Sequence, residues 1–182
     1  MRVIAGRVKG RRLKSPPGRS GRIRPSSDIV RGAIFSALAS MDADLCRVLD
    51  LYAGSGALGI EALSRGAAWC DFVERDPAAC GVIRENLRIT GLSQSALVLC
   101  LSVEKALGRL QGPYTLVLAD PPYADEKAGA ALEALASSSL VEPGRTIIVL
   151  EHSAREEPRG AFGPLSLVSV RRYGDSAVSI YR

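Results

Sequence analysis

From Cys46 onward the chain alternates short apolar runs with amphipathic stretches of helical period. "CRVLDLY", "WCDFVE", "ALVLC", "YTLVLAD" and "RTIIVLE" are strand-length runs rich in Val, Leu and Ile. Between them "ALGIEALSRGA", "PAACGVIRENLRITG", "SVEKALGRL" and "DEKAGAALEALASS" place apolar residues at helical spacing. Asp76-Pro77 opens the second of these helices and Gly91 closes it. Ahead of them "RPSSDIVRGAIFSALASM" predicts a helix capped by Ser26 or Ser27, with Ile29, Val30, Ala33, Ile34, Ala37 and Leu38 on its apolar face. At the end, "LSLVSVRRYG" and "SAVSIYR" predict an antiparallel hairpin turning at Gly174-Asp175. Alternating strands and helices predict an α/β fold, a doubly wound and mostly parallel sheet with an antiparallel C-terminal edge hairpin.

In such a sheet a ligand binds beyond the carboxyl ends of the strands. The first strand ends there in "DLYAGSGALG", where Gly54-x-Gly56-x-x-Gly59 has the spacing of a dinucleotide fingerprint. Glycines let the backbone approach a ligand, and a helix N-terminus follows. Glu74 ends the second strand, 20 positions after Gly54, where a carboxylate accepts both hydroxyls of a ribose. NAD and S-adenosyl-L-methionine both carry that ribose. Asp50 favours the second, because a carboxylate just before the loop repels pyrophosphate and suits a ligand bearing an ammonium and a sulfonium. Gly59 then reads as a helix-packing glycine.

Asp120-Pro121-Pro122-Tyr123 ends the fourth strand, beside the first. An exocyclic amine on a base is a poor nucleophile because its lone pair is delocalised into the ring. A carboxylate and a backbone carbonyl that accept its two N–H bonds pull the nitrogen toward tetrahedral geometry. The prolines stiffen the turn and remove competing donors. Tyr123 offers a face on which a flipped base stacks. The only histidine, His152, follows the fifth strand, and the reaction requires no base there, since a methylated amine is acidic enough to lose its proton to water.

Charge adds a partner. The net charge is +5, yet nine of the 24 basic residues precede Asp28, where no acid occurs, and the rest of the chain carries all 19 acids. A mildly acidic body thus follows a strongly basic arm, of a kind that docks on a polyphosphate. Within the arm "RVKGRRL" predicts a short hairpin turning near Lys9-Gly10. "SPPGRSGR" joins it to the body, so residues 1–24 are expected to form an RNA-binding arm and residues 25–182 the catalytic domain. The four cysteines lack C-x-x-C spacing, which excludes the common zinc patterns and leaves them as small buried hydrophobes. No apolar run is long enough to cross a bilayer, and no apolar segment follows the basic start as in a signal peptide. A cytoplasmic monomer is expected.

"RVIAG…GRRL", "RPSSDIVR", "DLYAGSGALGIEALSRGA", "FVERD", "LADPPY" and "RRYGDS" together resemble the RsmD-type 16S rRNA (guanine-N2)-methyltransferases across the whole chain. The opening arm joined to "RPSSD-x-VR" is the more specific part. The resemblance implies a class I, Rossmann-like S-adenosyl-L-methionine-dependent fold. It implies an rRNA partner, free or within an assembling small ribosomal subunit, and no metal. It implies a cofactor pocket of Asp50, Tyr52, Gly54, Ser55, Gly56, Leu58, Glu74, Arg75 and Ser102. Asp120, Pro121, Pro122 and Tyr123 would hold the target amine, and Arg7, Lys9, Arg11, Arg12, Arg24 and Arg31 would meet RNA. Gly32 stands where the family usually has glutamate, and Ser26-Ser27 where it has threonines. Three alternatives stay open: a DNA adenine-N6 methyltransferase, since "DPPY" serves that amine too; an NAD-dependent oxidoreductase; and a non-catalytic RNA-binding module.

Overall fold

A computed structural model describes residues 1–16, 25–122, 125 and 127–182. Arg24 and Tyr123, and the side chains of Ser26 and Ser27, lie outside the described residues. The elements run α1 (Pro25–Ser40), β1 (Arg47–Leu51), α2 (Ala57–Ser64), β2 (Trp69–Glu74), α3 (Pro77–Thr90), β3 (Ala96–Cys100), α4 (Val103–Leu107), β4 (Leu116–Ala119), α5 (Ala128–Ala136), β5 (Ile147–Ser153), β6 (Ala161–Phe162), β7 (Leu165–Tyr173) and β8 (Ser176–Tyr181). They form one sheet of order β3-β2-β1-β4-β5-β8-β7-β6. The first five strands in that order are parallel, and β8, β7 and β6 are antiparallel. The expected mostly parallel sheet with an antiparallel edge is what the chain adopts.

Alternation along β1 explains the layering. Val48 packs with Ile60, Phe72, Leu118 and the apolar side of α1 on one face. Leu49 and Leu51 pack with Val117, Leu132 and Leu135 of α5 on the other. Asp50 shares the Val48 face and is 1% exposed. Caps fix α3: Asp76 accepts from Ala78 N–H (2.9 Å), Pro77 follows it, and Gly91 ends the helix at φ 71°.

Some expectations needed correction. Ile29, placed on the apolar face of α1, is 63% exposed, and the face is built from Val30, Ile34, Phe35, Ala37 and Leu38. Gly32 serves no close approach, because a Cβ there would meet only Ile4 Cδ1 at 3.8 Å. The helix expected over "SVEKALGRL" is a single short turn, Val103–Leu107. Cys70 and Cys80 are buried as expected, but Cys46 and Cys100 are exposed.

The arm pairs through Val3 N–H to Arg11 C=O (3.0 Å) and Leu13 N–H to Met1 C=O (3.1 Å). Its turn is wider than Lys9-Gly10, since Gly10 N–H already bonds back to Val3 C=O (2.9 Å). It lies tight on the body. Val3 and Leu13 are 1% and 6% exposed and belong to the same core as α1, α2 and α3. Ile4 and Ala5 N–H donate to the fully buried Glu61 carboxylate (2.8 and 3.0 Å), and Arg7 N–H donates to Ser64 C=O (2.8 Å). Gly6, at φ 83°, lies so close that a Cβ would come within 1.9 Å of Ser64 O.

Candidate active site

The glycine loop joins β1 to α2. Tyr52 adopts φ 58°, and Gly54 and Gly56 adopt 57° and 76°. A left-handed tyrosine costs about 1–3 kcal/mol, which the loop accepts in order to turn sharply at the carboxyl end of β1. Asp50 points into the start of α2, where its Oδ2 accepts Gly59 N–H at 2.9 Å. Gly59 has no room for a side chain: a Cβ would lie 2.4 Å from Phe72 Cε1 and 2.7 Å from Cys70 Sγ. It is a packing glycine, as the sequence suggests, and its N–H is consumed by the protein's own carboxylate.

Beyond the strand ends lie two cavities that share Tyr52 and Gly54 as a partition. The larger, about 330 Å³, is lined by Glu74, Arg75, Ser102 and Pro122 and also by Pro16, Asp76, Leu101 and Asp125. The smaller, about 140 Å³, is lined by Asp50, Ser55, Leu58 and Asp120, together with Met1, Arg31 and Glu151. The structure thus gathers Asp50, Tyr52, Gly54, Ser55, Leu58, Glu74, Arg75, Ser102, Asp120 and Pro122 around one divided cleft. Pro121 faces a third cavity, about 480 Å³, toward α5, Leu150 and Phe162. His152 borders that cavity with both ring nitrogens engaged, one by Ser153 C=O (2.9 Å) and one by the Ser179 hydroxyl (2.7 Å).

Gly56 and Arg31 differ from their expected roles. Gly56 lines neither part of the cleft; it caps α2 in a left-handed turn against Ile83 and Phe72. Arg31 is 3% exposed and is held by Arg2 C=O (2.6 Å), Asp28 (2.9 Å) and Glu61 (3.7 Å). A buried guanidinium with those partners is not presented to an RNA phosphate; its place is in the wall of the smaller cavity. Arg7, Lys9, Arg11 and Arg12 are exposed on the arm.

The cleft is acidic. Burial pushes the Asp50 carboxyl well above its usual range, and the nearby Asp120 and Glu74 push it further, against the opposing Gly59 N–H. The Glu74 carboxylate holds the loop, accepting Gly54 N–H (2.8 Å) and Asp76 N–H (2.9 Å) on its two oxygens. Each oxygen retains a lone pair for a ligand hydroxyl. The Tyr52 hydroxyl is buried and finds no hydrogen-bond partner among the described residues, and burial pushes its pKa up to about 12. The Ser102 hydroxyl hydrogen-bonds Glu104, holding that carboxyl below its usual value.

Pattern reasoning missed the supports behind the loop. Asn86, fully buried on α3, accepts Lys14 N–H (2.8 Å) and donates to both Lys14 C=O (3.0 Å) and Ser55 C=O (2.9 Å). One amide thereby ties the arm to the glycine loop. Met1 and Pro16 of the arm line the smaller and larger cavities respectively. A polar residue recurring on the inward face of α3 was the available sign of Asn86; nothing local announces Met1 or Pro16.

Residues 1–182 match the family described as conserved hypothetical protein 95. The chain is 38% identical over 185 residues to YlbH of Bacillus subtilis, covering 100% of this chain and 98% of that one. It is 33% identical to ribosomal RNA small subunit methyltransferase D of Haemophilus influenzae over 82% of this chain and 77% of that one. The solved structure of yhhF from Escherichia coli superposes with a TM-score of 0.85 at 31% identity, covering 100% of this chain and 96% of the other.

Proposed function

The chain belongs to the RsmD family, whose pattern spans all its residues, and on that footing we propose that it transfers a methyl group from S-adenosyl-L-methionine to the exocyclic N2 amine of a guanine in small-subunit rRNA. The observation that carries the cofactor assignment is the hydrogen bond from Gly59 N–H to Asp50. A dinucleotide fold reserves the helix N-terminus for pyrophosphate. Here a buried carboxylate occupies it, with Asp120 and Glu74 close enough to raise its pKa. That acidic cleft repels a pyrophosphate and attracts a cation.

The residues present fit S-adenosyl-L-methionine. Glu74 would accept the ribose hydroxyls; Asp50 would face the ammonium; Leu101, Ser102 and Val103 would flank the adenine. Tyr52 lines both cavities and would border the bound cofactor. When bound, S-adenosyl-L-methionine would supply an electrophilic methyl on its sulfonium to the amine, whose proton would pass to water. Asp120 and a backbone carbonyl of the turn that follows it would accept the N–H bonds of the incoming amine, orient its lone pair and sharpen its nucleophilicity by positioning alone. Tyr123 would stack on the base. The exposed Arg7, Lys9, Arg11 and Arg12 would follow the RNA backbone, free or in an assembling subunit. A cytoplasmic monomer is the form in which it is proposed to act. Among the described residues no helix is long and apolar enough to cross a membrane.

Calorimetry tests the cofactor: S-adenosylhomocysteine should bind and NAD should not, and the reverse would end this assignment. Labelled methyl transfer into rRNA from cells lacking the protein should yield N2-methylguanosine, lost in Asp120→Ala with cofactor binding retained. N6-methyladenosine in DNA as the product would establish the adenine alternative instead.

A further inference from the structure

We propose that Glu151 reads the N1–H of the target base and so makes the site select guanine; this rests on the methyltransferase assignment above. The parallel pairing of β4 with β5 ends at Ala119 opposite Leu150. The next residue on each strand is acidic, Asp120 on one and Glu151 on the other. Neighbouring strands lie about 4.8 Å apart, and residues at matching positions face the same way. Asp120 and Glu151 accordingly line the same cavity, together with Asp50, Tyr52 and Leu58. Glu151 is half-buried and borders that cavity, within reach of a base edge entering it. Arg31 in the same wall supplies a positive charge beside the acids.

A single carboxylate suffices to hold an amine; a second one beside it can read the neighbouring position of the base, and the bases differ there. On guanine the N2 amine is followed by N1–H, so two adjacent groups donate. On adenine the N6 amine is followed by the N1 lone pair, and on cytosine the N4 amine by the N3 lone pair. With Asp120 on the amine, a carboxylate one strand away accepts N1–H from guanine. The same carboxylate meets the lone pair of adenine or cytosine head on. A buried acceptor facing another acceptor leaves both unsatisfied, and sites built on a specific hydrogen bond reject analogues that lack it strongly. Asp120 is thus common to amine methylation in general, whereas Glu151 decides which amine.

The test uses 2-aminopurine, which keeps the N2 amine but carries a lone pair at N1. Synthetic rRNA fragments are prepared with guanine or 2-aminopurine at the position mapped as methylated, and kcat/KM is measured for each with wild-type protein and Glu151→Gln. Wild type should prefer guanine by at least about 50-fold. Glutamine accepts N1–H through its carbonyl and donates to a lone pair through its amide. The variant should therefore lose roughly 10-fold on guanine and bring the preference to within about 3-fold of unity. S-adenosylhomocysteine affinity should be unchanged in the variant, which reports an intact fold and cofactor cleft. A guanine preference in Glu151→Gln equal to that of wild type overturns the role of Glu151 and leaves the methyltransferase assignment standing. Failure of wild type to make N2-methylguanosine in any fragment overturns both.

Discussion

Asn86→Asp is the sharpest probe of how the arm and the cofactor loop are joined. The substitution conserves shape and leaves Lys14 N–H its acceptor, but Lys14 C=O and Ser55 C=O lose their donors and face an anion. Two missing hydrogen bonds cost about 1 kcal/mol each. An uncompensated charge at a site that is 0% exposed brings the total to about 3–5 kcal/mol. For a chain of this length 1 kcal/mol moves Tm by about 2–4 °C, so a fall of roughly 8–15 °C is expected. The pH dependence has a definite sign. Burial against two carbonyls raises the introduced carboxyl above its unfolded value of about 3.9, so the folded state holds the proton longer. Relative to wild type, the deficit is small near pH 4. It grows by about 1.4 kcal/mol for each pH unit between the unfolded and the folded pKa, and levels off above the latter. Urea denaturation of wild type, Asn86→Asp and Asn86→Leu from pH 4.5 to 8 reads this directly, with the leucine deficit flat across the range. S-adenosylhomocysteine affinity should fall as well, because Ser55 loses its anchor. A deficit below about 0.5 kcal/mol at pH 7, or one indifferent to pH, would refute the reasoning.

Gly32→Ala should stabilise the protein by about 0.8–1 kcal/mol, since the added Cβ meets only Ile4 Cδ1 at 3.8 Å; a loss in thermal unfolding would show that the helix is constrained there. Asp50→Asn should make the apo protein more stable at neutral pH. The raised pKa of Asp50 means that its contribution is fully present below the unfolded value and is lost as pH rises through the folded one. The same variant should bind S-adenosyl-L-methionine at least about 10-fold more weakly, and unchanged affinity by calorimetry would remove Asp50 from the ammonium site. Replacing Arg7, Lys9, Arg11 and Arg12 together by glutamine should leave Tm unchanged, because these side chains are exposed. It should also flatten the salt dependence of RNA binding by about 0.7–0.9 in log–log slope for every phosphate left without its cation, and an unaltered slope would show that RNA docks elsewhere.

The parallel strands were legible because their apolar runs are bounded by residues that must stop them. Trp69–Glu74 and Ala96–Cys100 have the expected limits, and Asp76-Pro77 and Gly91 cap α3 by side-chain and backbone chemistry that is purely local. Asp50, Glu74 and Asp120 could be placed because each is a carboxylate at or beside the carboxyl end of an apolar strand, and strand ends converge in a doubly wound sheet. What escaped was long-range. Arg31 carries the charge of an RNA contact, and only the docking of the arm over α2 reveals that Asp28, Glu61 and the Arg2 carbonyl already hold it. Ile29 fits the apolar period of α1, yet 63% of it remains exposed because the contact face is rotated toward Val30 and Phe35. Asn86 shows only as a polar residue on the buried face of α3, and Gly6 has no motif context; their roles exist only once segments far apart in the chain are brought together.

The seating of the arm also bears on how such a protein can be recombined. An RNA-docking hairpin attached by a linker could be exchanged between relatives as a cassette. This one is keyed to the body by Gly6 against the Ser64 backbone, by Glu61 beneath Ile4 and Ala5, and by Asn86 around Lys14. A chimera that transplants the arm alone breaks those matches in both parents. One that carries the arm together with the α2–α3 segment preserves them and transfers the glycine loop in the same piece. The smallest exchangeable unit therefore already contains the glycine loop, so changes in the arm and in that loop are inherited together.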